Sequence, residues 1–275
     1  MLDEILLGWT PLAFAAMGAL LTELAGVLCI CIEAFISTGA FLCYSAYMRT
    51  GSIAAAVLFA AFSCGLLGFL LSVVVHQFRL NLFVAGLAFS LAAEGLCVLL
   101  SQRLFGNSGV LRLPASPQNR ASFFALALGA VLLTWFVVRA TCAGRRLRAA
   151  GLSAGAVIEC GLNPQAYYAA SWACAGILSA LAGCAMLFRL GAYVPYGTSG
   201  RGWLALAAVF MGFKKPVLVA ACCFVFALAS VVSSGSPRFI PPPALPAIPY
   251  LAALVLYVLS CAAHTKSCRN KPAAP

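Results

Sequence analysis

The stretch TELAGVLCICIEAFISTGAF, residues 22–41, sets Glu23 and Glu33 in sequence that is otherwise apolar, small or glycine. A charge at the centre of a bilayer costs at least about 2.5 kcal/mol on insertion scales, so a carboxylate there needs a partner or a water-filled cavity. Gly26 and the short residues after it predict a helix break between the two glutamates, which therefore need not share one helical face. Two readings stay open for them, and for Glu94 further along. They are carboxylates beside a polar pathway, or carboxylates tied to a backbone amide or to an arginine of another helix.

The surrounding composition supplies the membrane. Of the 275 residues, 64% are hydrophobic and 8% charged, whereas the surface of a soluble domain calls for roughly a quarter charged residues. Apolar runs near or above the roughly 20 residues that span a bilayer recur from the first residues almost to the last. They predict an all-α polytopic transmembrane helical bundle with spans near 5–24, 31–48, 52–75, 81–101, 121–139, 166–188, 201–213, 216–234 and 247–263, about nine in all. The seventh is short for a bilayer and reads as a half-helix or a re-entrant piece packed against other protein, where irregular backbone can be satisfied. The glycine-broken segments AGVLCICIEAF and GTSGRGWLALAAVFMG suggest matching interruptions of two inverted halves. In span 166–188, Ala175, Ser179 and Gly183 form one stripe of small residues and Gly176, Ala180 and Cys184 another, a pattern that lets a neighbouring helix come close.

The start, MLDEILLGWTPLAF, carries Asp3 and Glu4 instead of a basic segment, and no small-residue cleavage site follows, so the first helix is expected to be retained. The net charge of +11 belongs to loops on the cytoplasmic side and not to a nucleic-acid surface. With the C-terminus inside, the cytoplasmic segments hold Arg79, then Arg139, Arg145, Arg146 and Arg148, then Lys214 and Lys215, then Lys266, Arg269 and Lys271. Arg49, Arg103, Arg112, Arg120, Arg189, Arg201 and Arg238 fall outside. The connection 139–168 is the longest polar and basic one; it predicts one or two short amphipathic helices at the membrane surface, and reads either as a loop that merely marks the cytoplasmic side or as a docking surface for a cytoplasmic partner.

Other chemistries find little support. The 13 cysteines are scattered without metal-ligand spacing, so they read as small packing residues, the CxC of Cys29 and Cys31 included. GTSG at 197–200 and His264 use the vocabulary of a rhomboid-like intramembrane serine protease, but Ser267 stands where a glycine is expected and Arg201 crowds Ser199. None of the four lysines lies in a phosphate-cradling loop, so ATP-driven transport would draw its energy from another subunit. A proton-coupled secondary transporter using Glu33 and Glu94 is the alternative transport reading.

Several segments resemble one family in order. ELAGVLCICIEAFISTGAF is similar to its ERAGVLNIGIEGMMLIGAF, LRAAGLSAGAVIECGLNP to its LRAVGENPEAARAAGIN, SALAGCAM to its GALAGLAGA, and SGRGWLALAAVFMGFKKP to its AGRGFIALAAVIFGRWNP; IPYLAALVLYVLS resembles its closing helix. The family is the membrane permeases of bacterial ABC importers for simple sugars, nucleosides and related compounds, and the GRGWLALA form resembles the nucleoside and riboflavin branch. The resemblance implies a non-enzymatic permease of the bacterial inner membrane that alternates access, with a permease domain over 1–265 and a polar tail over 266–275. It implies ATPase subunits that bind ATP and magnesium, no cofactor in this chain, a second permease as homo- or heterodimer, and an extracytoplasmic substrate-binding lipoprotein. Glu33 would lie beside the translocation pathway, with Cys29, Glu23 and Glu94 as further pathway candidates, and Arg201 with Gly202 at the start of the short seventh span. Arg148, Gly151, Glu159 and Gly161 fall in the coupling segment, 139–165, that would dock on the ATPase. Cys29 and Cys31 replace the family's Asn and Gly and Ala34 its Gly, so position 29 has lost a polar group.

Overall fold

The computed structural model describes residues 2–114 and 120–235; the predicted span 247–263, His264 and the tail 266–275 lie outside them. Every predicted span within the described residues is a helix, with ends within four residues of those expected. They are α1 (Leu2–Leu24), α2 (Ile32–Thr50), α3 (Ile53–Gln77), α4 (Leu82–Phe105), α5 (Arg120–Ala140), α8 (Pro164–Leu190), α9 (Arg201–Met211) and α10 (Pro216–Gly235). The connection between α5 and α8 folds into two short helices, α6 (Cys142–Leu152) and α7 (Ala154–Glu159). Polar caps set these boundaries: the Asn81 side chain accepts from the Phe83 N–H at 2.9 Å to start α4, and Asn163 accepts from the Gln165 N–H at 3.0 Å ahead of Pro164 to start α8.

α1 and α8 form the centre. α8 packs against α1, α2 and α3, and α1 packs also against α5, α9 and α10, while α3, α4 and α5 turn broad apolar faces outward. In water such faces would be a liability; around a membrane bundle they meet lipid tails. A two-stranded antiparallel ribbon that the sequence pattern did not predict, β1 (Leu111–Arg112) with β2 (Ala192–Tyr193), ties the connection after α4 to that after α8.

The small residues of α8 admit three neighbours, not one. Gly18 of α1 lies against the Ala175 backbone, Gly176 against Cys64 of α3, Gly39 of α2 against Ala180, and Gly183 against the carbonyl of Ile36. With no hydrophobic drive between helices in lipid, close backbone approach and van der Waals packing take over that role. The described cations separate between the two ends. Arg139, Arg148, Lys214 and Lys215 share a cavity at the end of α1 that carries Glu23, and His76 and Arg79 lie at the same end, whereas the Arg189 side chain lies over Gly8 near the start of α1. Arg201, expected on the outer side at the start of the seventh span, begins α9 half-buried, its guanidinium reaching the Met186 sulfur at 3.4 Å.

Overpacking a close backbone contact costs about 1–3 kcal/mol. Gly183→Ala, whose new methyl would meet the Ile36 carbonyl, is expected to lower the unfolding temperature of the detergent-purified protein by several degrees. Gly129→Ala, with nothing within 4 Å, should leave it unchanged. Equal melting of the two would sink the packing account of α8.

Candidate functional site

The break between α1 and α2 is built by its own sequence. Gly26 adopts φ of 76°, and the Val27 N–H donates to the Thr22 carbonyl and the Gly26 N–H to the Glu23 carbonyl, both at 3.1 Å, closing α1 in a Schellman turn. The chain then crosses the interior without helical hydrogen bonds, and other groups take their place. The Thr22 hydroxyl accepts from the Cys29 N–H at 3.3 Å, and the buried Trp172 indole donates to the Val27 carbonyl at 2.9 Å. These contacts let non-helical backbone persist inside the bundle.

Glu33 then stands in the first turn of α2, facing the start of α9. Its Oε1 accepts from the Gly200 N–H at 2.9 Å and its Oε2 from the Gly202 N–H at 2.5 Å. Gly200 caps α9 in a left-handed conformation, φ 76°, and has no side chain to offer, so a carboxylate from 167 residues earlier satisfies amides that α9 would otherwise leave open. Charge-assisted bonds and two helix N-termini together stabilise the anion. Gly202 is fixed by the same contact, because a Cβ there would stand 2.6 Å from Oε2 and 2.7 Å from the Glu33 nitrogen. Both Glu33 oxygens are engaged by backbone amides, the arrangement that the second of the two readings describes.

Glu23 holds the other end of α9. Its Oε1 pairs with Lys214 Nζ at 2.7 Å, just past the C-terminus of α9, with the glutamate largely covered and the lysine half exposed. Of the remaining candidates, Glu94 lies close enough to Glu33 for their charges to interact. Cys29 is buried beside Thr22, and Cys31 lies under Gly86 of α4. Glu94 is half-buried on α4, one turn before Cys97, whose thiol contacts the Thr38 hydroxyl at 3.8 Å; it makes no hydrogen bond or ion pair among the described residues. Of the aromatic residues able to stack on a flat ring, Tyr193 is committed to the core against Phe41 at 5.5 Å, while Tyr196 and Trp203 remain exposed.

The coupling candidates split by face. Arg148 is half-buried in the cation-lined cavity, its Nε donating to the Gly144 carbonyl at 3.4 Å. Gly151 seats on the helix break, where a Cβ would stand 2.9 Å from the Gly26 nitrogen. Glu159 and Gly161 are exposed, as are Leu152 at 89% and Ile158 at 60%, two large apolar side chains at the end of α6 and on α7 that charge-based reading passed over. Arg145 donates to the exposed Cys142 sulfur at 3.2 Å, which lowers that thiol's pKa below its ordinary value. Tyr168 of α8 links the segment inward, donating to the Ala150 carbonyl at 3.3 Å and stacking on His76 of α3 at 5.0 Å.

The profile of the family described as branched-chain amino acid transport system / permease component matches residues 1–262, and the chain belongs to that family. It is 26% identical over 280 residues to the nucleoside ABC transporter permease protein NupC of Lactococcus lactis subsp. cremoris (strain MG1363), covering 91% of this chain and 88% of the relative. It is also 26% identical over 258 residues to the guanosine ABC transporter permease protein NupQ of Bacillus subtilis (strain 168), covering 83% and 81%. No solved structure matches. Family and fold make the chain a multi-pass inner-membrane transport subunit; nothing comparable supports the proton-coupled or serine-protease readings.

Glu33→Gln replaces one acceptor with an NH2 group facing an N–H, a loss of about 1.5–3 kcal/mol for a charged hydrogen bond. Glu33→Gln and Gly202→Ala should each lower the unfolding temperature, and the double variant should lose clearly less than the sum. Additivity within about 0.5 kcal/mol in such a cycle would separate the two residues and contradict the clamp.

Proposed function

We propose that this family member is the permease subunit of an ATP-driven importer that carries a nucleoside across the inner membrane by alternating access. The names of the two relatives support a nucleoside over riboflavin or a simple sugar. Family membership implies an ATPase and a substrate-binding protein as working partners. In this reading the chain pairs with a second permease, receives substrate from an extracytoplasmic lipoprotein, and leaves ATP and magnesium to the ATPase subunits.

The observation that carries the mechanism is the seating of Gly151 on Gly26. An ATPase docked on the exposed surface formed by the end of α6 and by α7, through Leu152 and Ile158 and with Glu159 and Gly161 alongside, would push on α6. Because α6 meets the α1–α2 break backbone to backbone, the displacement passes to the segment that holds Glu33 and, through it, α9. ATP binding then favours one access state by the difference in contact it makes with the two. Glu33 acts here as a positioning residue. Glu94, the half-buried carboxylate with no partner on α4, is the better candidate for polar contact with a passing solute.

Proteoliposomes holding the full transporter should take up labelled guanosine when ATP is present and fail with ATP removed. Uptake that survives ATP depletion but collapses with the proton gradient would replace this reading with a secondary transporter. Gly151→Ala should cut uptake at least about tenfold while the ATPase still co-purifies, since the new methyl forces α6 off the break; each 1.4 kcal/mol of altered state preference is a factor of ten. Unchanged uptake in Gly151→Ala, and in an Arg148→Ala/Gly161→Ala pair, would remove 139–165 from the coupling path.

A further inference from the structure

At the cytoplasmic end, where α5, α6 and α10 converge, a cavity of about 370 Å³ is lined by Arg139, Arg148, Lys214 and Lys215, with Trp135 and Leu218 on its apolar side. Glu23 offsets one of the four cations through Lys214. Arg139 and Lys215 are exposed and make no ion pair among the described residues. The cavity opens onto surface of a different kind. Trp135 is exposed, and Leu132 and Leu128 follow it toward the bilayer at helical spacing; Leu218 and Val225 do the same on α10. A tryptophan at the end of an apolar stripe, next to a cluster of cations, marks the level where lipid headgroups begin.

We propose that this cavity holds the headgroup of an anionic phospholipid, its phosphate between Arg139 and Lys215 and its acyl chains along the exposed faces of α5 and α10. Basic recesses between membrane helices on the cytoplasmic side suit such headgroups, and each Lys or Arg near the surface raises affinity for an anionic lipid about fivefold. The apolar continuation favours a lipid over a protein occupant. The exposed apolar side chains suited to a docked protein, Leu152 and Ile158, lie instead on the α6–α7 turn.

The assembled transporter, purified and exchanged into equal amounts of phosphatidylglycerol and phosphatidylcholine, would be examined by native mass spectrometry for retained lipid. The expected result is one tightly retained phosphatidylglycerol per copy of this chain, with the preference reduced about 25-fold in Arg139→Gln/Lys215→Gln and unchanged in Arg49→Gln/Arg103→Gln, two cations at the opposite end. If the double variant fails to fold, Lys215→Gln alone should reduce the preference about fivefold. Equal retention of the two lipids, or a preference indifferent to these substitutions, overturns the proposal. So does displacement by inorganic phosphate, which would mark a soluble-anion site, or loss of the ATPase subunit with lipid retention intact, which would mark a protein contact.

Discussion

The arrangement of this bundle turns on an anion held between two helix starts. α2 begins at the break and runs toward the end that carries the β1–β2 ribbon, while α9 begins deep in the molecule and runs the opposite way, toward Lys214. At about 1.5 Å per residue its 11 residues cover about half of a 30 Å hydrocarbon core. Two helix N-termini pointing into a low-dielectric interior would each leave amides unsatisfied. Glu33 meets this for α9 with both oxygens, and its position in the first turn of α2 places the same charge at that helix's positive end. The pair of interruptions, opposite in direction, is what inverted halves would produce.

Much of this was legible in the sequence because its signals are local. Run length and composition located the helices, the glycine after Glu23 located the break, and the shortness of 201–213 announced a half-helix. The partners of the glutamates were not legible in the same way. Nothing near residue 33 indicates that its acceptors will meet the amides of Gly200 and Gly202, and a lysine beyond α9 is an ordinary loop residue until the fold brings it to Glu23. The stripes on α8 were visible as packing surface, but only topology distributes them among α1, α2 and α3. Resemblance placed Glu33 beside a pathway, and the geometry gives it a structural duty there that a motif alone cannot express.

The α6–α7 segment shows the same division between pattern and placement. Arginine density singles out 139–148, yet the residue seated on the α1–α2 break is Gly151, whose lack of a side chain makes that contact possible. Arg139 and Arg148 line a cavity, while Arg145, Arg146 and Glu159 are exposed together with the apolar Leu152 and Ile158. Tyr168 carries that surface to α3 as well, through Ala150 on one side and His76 on the other, so α6 leans on both the centre of the bundle and its periphery.

The separation of Glu33 from its acceptors also has a consequence for biosynthesis. Helices enter the bilayer in the order in which they are made, and 166 residues lie between this carboxylate and the first amide that receives it. Until α9 emerges, the α1–α2 segment carries an uncompensated charge that apolar surroundings disfavour. Its final seating is therefore a late event, completed from the far half of the chain. A protein truncated before Gly200 would keep most of its apolar spans and still lack the group that lets its first two helices settle.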